Sequence, residues 1–166
     1  MRRLSVSVLL LTLVAAGSIR AGAQAPPQAN AADFPAGPGR EIVSKACREC
    51  HMAADITRRR ETRRRWSLIL DQMAGQGAQI DTDEDWEKVL VYLSTTLGRK
   101  VRINTAPASL VAEVFDITEE QAAAIVKART AKGGFKTWQE IAAVPGIDGK
   151  RIQEQQGNLD FSPAGG

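Results

Sequence analysis

The chain has 166 residues and a formal net charge of +3. Its two cysteines and single histidine are too few for a four-ligand structural zinc site, and no glycine-rich nucleotide loop is present. Length permits one domain or two small ones.

Arg2 and Arg3 precede an apolar run from Leu4 to Ala16, followed by Ala21-Gly22-Ala23. This is the charged, apolar and small-residue order of a secretory signal. The apolar run is short for a membrane span, so no stable membrane insertion is expected after cleavage. A signal over 1–23 places the mature chain in the periplasm. It also revises the charge: Arg2, Arg3 and Arg20 leave with it, and 19 basic residues then face 19 acidic ones. The basic isoelectric point is therefore no argument for nucleic acid. Residues 24–39 are rich in Ala, Pro, Gln and Gly and read as a flexible linker without a packed core.

The first helical segment runs through Ile42, Val43 and Ala46 into Cys47-Arg48-Glu49-Cys50-His51. Cys-x-x-Cys-His is the attachment sequence of a c-type haem. The two sulfurs can add to the haem vinyl groups, and His51 can ligate the iron from one side. A thioredoxin-like site would follow a strand in a βαβ setting, and no such pattern flanks these residues. One covalent haem c is the expected cofactor.

A basic stretch follows, in which Arg58, Arg59 and Arg63 are candidates for contact with haem propionates or with an acidic redox partner. The alternative is a solvated face with ion pairs. Trp66, Ile69, Leu70 and Met73 then share one helical face. Thr82-x-x-Asp85 starts the next helix, and its stripe is Trp86, Val89, Leu90, Leu93 and Leu97. Gly98 marks its stop.

With a single histidine, ligation by two histidines within one chain is excluded. Met1 leaves with the signal and Met52 adjoins the proximal ligand, so Met73 is the candidate sixth ligand. Otherwise Lys, Tyr, water or an open position completes the iron. An open position would suit a small haem enzyme or sensor; no other enzyme site is expected.

This stretch resembles bacterial class I-like monohaem cytochrome c domains, including those related to the haem regions of quinohaemoprotein amine dehydrogenases. The carriers are Cys47-x-x-Cys50-His51, the arginine-rich turn, Trp66 with Met73, the spacing from Met73 to Gly77, and the helix with Trp86 and Tyr92-Leu93. The resemblance implies that Met73 is the distal ligand.

From Val101 onward, Thr105 is expected to cap a helix with Pro107 near its start. Thr118-x-x-Gln121 and Thr137-x-x-Glu140 are capping boxes, Gly133-Gly134 stops a helix, and Pro145-Gly146-Ile147 forms a tight turn. Residues 101–161 resemble the paired helix-hairpin-helix domain of competence-type DNA-uptake proteins, on Ile103-Asn104-Thr105-Ala106, Ile125 to Arg129, Gly134-Phe135-Lys136-Thr137 and Val144-Pro145-Gly146-Ile147. In relatives that bind DNA, hairpin glycines expose amides to phosphate. Here Gly146 remains as a weak phosphate-binding candidate, while Asp116 stands in the first hairpin.

The expected architecture is all-α: a cytochrome c-like haem domain over 40–100, then a helix-hairpin-helix domain over 101–161. The expected function is an exported electron carrier serving a periplasmic redox protein, with the second domain for docking or structure. The alternative is a DNA-binding or DNA-uptake accessory protein carrying a haem domain.

Overall fold

The structure is a computed structural model and describes residues 33–162. The expected signal over 1–23 and residues 24–32 of the expected linker lie outside the described residues. The helices are α1 (Arg40–Cys47), α2 (Ala53–Thr57), α3 (Arg63–Gly75), α4 (Asp83–Thr96), α5 (Ala108–Phe115), α6 (Glu119–Lys132), α7 (Trp138–Ala142) and α8 (Gly149–Glu154). Two short strands, β1 (Val101–Arg102) and β2 (Leu159–Asp160), pair in parallel with Val101 opposite Leu159. The fold is thus mostly helical with one small parallel sheet, a correction to the all-α expectation. Two-residue strands are too short to show an alternating pattern.

Two hydrophobic cores form. The first holds Phe34, Val43, Trp66, Leu70, Val89, Leu90, Tyr92, Leu93 and Leu97, where α1 and α3 pack on α4. The second holds Ile103, Val111, Phe115, Ile125, Phe135, Ile141 and Ile152, with α5 on α6 and α7 on α8. Each large side chain so buried contributes about 1.5–3 kcal/mol.

Phe34 corrects the reading of 24–39 as a linker without a core. Its ring is 2% exposed, and the Tyr92 hydroxyl donates to the Pro35 carbonyl at 2.7 Å. Gly39, at φ 92°, lets the chain pass α4 where a Cβ would lie 2.9 Å from the Lys88 carbonyl. The end of this segment therefore straps the first core before α1 begins.

Helix starts follow local chemistry. Thr62 and Thr82 accept from the Arg65 and Asp85 amides. Thr118 with Gln121 and Thr137 with Glu140 form reciprocal boxes. Thr105 does not cap α5: its hydroxyl donates to the Arg102 carbonyl, and Pro107 holds the cap position. Proline supplies an extended backbone there and has no amide to satisfy.

The two cores are joined by a polar seam rather than a free linker. Glu61 bridges Gly98, and the Arg99 amide donates to the Glu61 carbonyl at 3.0 Å. Helix α3 packs on α5. Buried Asn158 donates to the Ser94 carbonyl at 2.6 Å, and buried Gln155 to the Ser94 hydroxyl at 3.1 Å. Among the described residues, no helix is long and apolar enough to cross a membrane.

Candidate functional site

Helix α1 ends on Cys47, and the turn continues through Arg48, Glu49 and Cys50. The His51 amide donates to the Cys47 carbonyl at 3.1 Å, which is helical spacing. Offsets of three and four residues place Cys47, Cys50 and His51 on one side of that turn. Cys50 and His51 are exposed, while Cys47 is half-buried and packs against the first core.

Burial pushes the Cys47 thiol up to about 11. A redox-active Cys-x-x-Cys needs the opposite, a thiol pulled down into the neutral range. Among the described residues, no group of three or more His, Cys, Asp or Glu side chains is arranged to hold a metal ion.

The first core leaves some of its apolar surface only partly covered. Ile42, Ile56, Ile69, Ile80 and Trp86 are each half-exposed against the first core. The α3 face predicted from the sequence divides: Trp66 and Leu70 are buried, whereas Ile69 and Met73 are half-exposed. Met73 sits in the last turn of α3 and stands outside the core cluster. Its carbonyl accepts from the Gln76 and Ala78 amides, fixing the backbone there. Among the described residues, five buried polar atoms have no hydrogen-bond partner: Ser44 Oγ, Arg48 Nε, Arg63 Nε and Nη1, and Trp66 Nε1.

The basic stretch separates into two groups. Arg58 and Arg59 are exposed, as a contact role requires. Arg63 is not available for one: it is 2% exposed, donates to Glu87 at 2.7 Å and lies 3.9 Å from Glu154. Arg64 donates to Asp116 at 3.2 Å and to the Ile117 carbonyl at 2.5 Å. These acidic partners come from helices far along the chain, and no local pattern announces them. Phe34 was also missed; its signal was a lone aromatic within an Ala- and Pro-rich stretch.

In the second module, α5 and α6 make the first hairpin and α7 and α8 the second. Asp116 ends α5 at φ 52°, in the left-handed region. It pairs with Arg64 and, at 3.6 Å, with Arg151. Gly146 in the second hairpin has φ 81° and open space before it. The two hairpins touch where Gln121 donates to the Gly146 carbonyl at 2.8 Å.

Residues 98–160 match the family model of the helix-hairpin-helix motif, and they form a domain of that kind. No curated protein and no solved structure matches the chain.

Proposed function

We propose that the chain is an exported c-type cytochrome with one covalent haem, carrying single electrons to or from a periplasmic partner. What supports this reading is the Cys47-x-x-Cys50-His51 sequence on one turn of backbone, closed by the His51 amide on the Cys47 carbonyl, with Cys47 packed against the first core and Cys50 and His51 exposed. The residues fit the group. Cys47 and Cys50 would hold it by thioether bonds, and His51 would ligate its iron. Met73, uncommitted to the core, is the candidate opposite ligand. The orphaned donors on Trp66 and Arg48 suit the carboxylate acceptors of propionates. When bound, haem supplies a one-electron iron couple, and a thioether ligand favours its ferrous form. The helix-hairpin-helix domain is then a fixed support, held on α3 by Arg63 and Arg64.

Absorption spectra of the exported protein, oxidised and reduced, test this reading in wild type and Met73→Ala. The expected result is a haem spectrum whose ferric thioether–iron charge-transfer band is lost in the variant. Its absence from the wild type would remove Met73 from the iron and leave the open-site enzyme or sensor reading.

A second reading is favoured by the family match, since helix-hairpin-helix motifs commonly bind nucleic acid. The open second hairpin at Gly146 supports it. Opposing it are Asp116 in the first hairpin and seven basic against eight acidic residues from Val101 onward. Titration with duplex DNA at two salt concentrations decides: tight, steeply salt-dependent binding is this reading's signature.

A further inference from the structure

We infer that Arg58, Arg59, Arg60, Arg65 and Arg99, with Leu68 beside them, form a docking surface for an acidic protein. The inference rests on the electron-carrier reading and names the chemistry of its partner.

The surface is assembled by the fold. The Glu61–Gly98 bridge brings Arg99 alongside Glu61, one residue from Arg60 and nearly forty from it in sequence. All five arginines are exposed. Among the described residues, none of them has a carboxylate within 4.0 Å, and the hydrogen bonds of Arg60 go to the Thr57 and Arg59 carbonyls. Ion pairs are made elsewhere by Arg40, Lys45, Lys88, Arg102 and Lys132, so this region keeps an uncancelled positive charge.

Helix α3 makes the point more sharply. Its first turn is Arg63-Arg64-Arg65, with no acidic residue. Cations at the positive end of a helix dipole are destabilising. Arg63 and Arg64 are offset by Glu87, Glu154 and Asp116. Among the described residues Arg65 has no such carboxylate, so its exposed charge stands at the positive end of the helix at a cost to it.

Leu68 decides between partner classes. It lies three residues after Arg65, on the same side of α3, and is 54% exposed. An exposed leucine one helical turn from an exposed arginine suits a protein interface, where apolar and charged contacts combine. Phosphate backbone has no use for it. The five-residue α2 separates Arg58 from the pentad, a rise of roughly 8 Å. A partner seated here is therefore close to the proposed haem.

The test uses the full chain and three probes: a peptide of glutamates alone, a peptide of glutamates and leucines, and a duplex DNA of matched charge. The variants are a combined R58E/R59E/R65E and a separate Leu68→Asn. The expected result is that the mixed peptide binds best and loses at least about tenfold in the arginine variant. Leu68→Asn should weaken the mixed peptide several-fold and leave the other probes unchanged. Glutamate at position 65 suits the helix dipole, so lost binding is separable from lost folding. Binding to neither peptide overturns the proposal. So does DNA binding tighter than both peptides and lost in the arginine variant, or indifference of the mixed peptide to Leu68→Asn. Haem content, read from the absorption spectrum of each sample, reports separately on the electron-carrier reading.

Discussion

Arg64 of α3 is bound to Asp116 of α5: its Nε donates to the carboxylate at 3.2 Å, and its terminal nitrogen donates to the Ile117 carbonyl. This pair seats the first module on the first hairpin of the second. Asp116 lies in the turn of the first hairpin as Gly146 lies in the turn of the second, and both have a left-handed φ, 52° and 81°. Aspartate tolerates that region through its short polar side chain. The hairpin has become an intramolecular dock.

Asp116→Asn keeps the backbone tolerance and removes the charge. Both side chains are about one-third exposed, so solvent screens the pair. A loss of about 1 kcal/mol in urea unfolding is expected, shrinking at high salt. Asp116→Ala should cost more, because alanine resists this φ.

Arg63 is the buried counterpart. It is 2% exposed and faces Glu87 and Glu154. Arg63→Ala leaves Glu87 and Glu154 without their shared cation and removes a packed stem. The expected destabilisation is about 3 kcal/mol. Arg63→Lys should recover only part of it, since an ammonium lacks the planar fork that reaches both carboxylates. Chemical denaturation of both variants measures the difference.

Gly98 is a packing glycine at the seam. A Cβ there would collide with the Asn158 side chain and the Ser94 carbonyl. Gly98→Ala should therefore cost about 1–3 kcal/mol through overpacking. Thermal unfolding checks it, with Gly157→Ala as the control, because a Cβ at Gly157 meets nothing within 4 Å.

Glu140 gives the second module an acid-sensitive joint. The Lys136 amide, then Lys132 and the Thr137 amide, hold its carboxyl below the usual range. Because the folded value is depressed, the stabilisation is present above the unfolded value of about 4.3. It is lost as pH falls through the folded value. Glu140→Gln should flatten this part of the stability–pH curve between those two points, read by unfolding at stepped pH.

What could be read from the sequence was what local chemistry determines. Thr118 with Gln121 and Thr137 with Glu140 marked helix starts because a capping box closes within four residues. The positions of Trp66, Leu70, Val89, Leu90 and Leu93 were legible from helical periodicity. The Cys47-x-x-Cys50-His51 spacing is itself a sequence feature, and the fold adds that it lies on the single turn that follows α1. Hidden were contacts that only tertiary folding creates: β1 with β2, Arg63 with Glu154, Arg64 with Asp116, and Ser94 with Gln155 and Asn158. Phe34 was hidden by the linker-like composition around it, although one buried aromatic suffices to anchor a strap. Thr105 misled because proline at 107 already satisfied the helix start.

In the proposed function Cys47 and Cys50 would carry haem covalently. The most direct test is the mass of the purified chain under denaturing conditions, after expression with a c-type haem attachment system. The expected result is a single species heavier by one haem, retained on acid extraction and lost in a Cys47→Ala/Cys50→Ala variant. A folded wild-type chain recovered at its apoprotein mass, with both thiols free or joined in a disulfide, would contradict it.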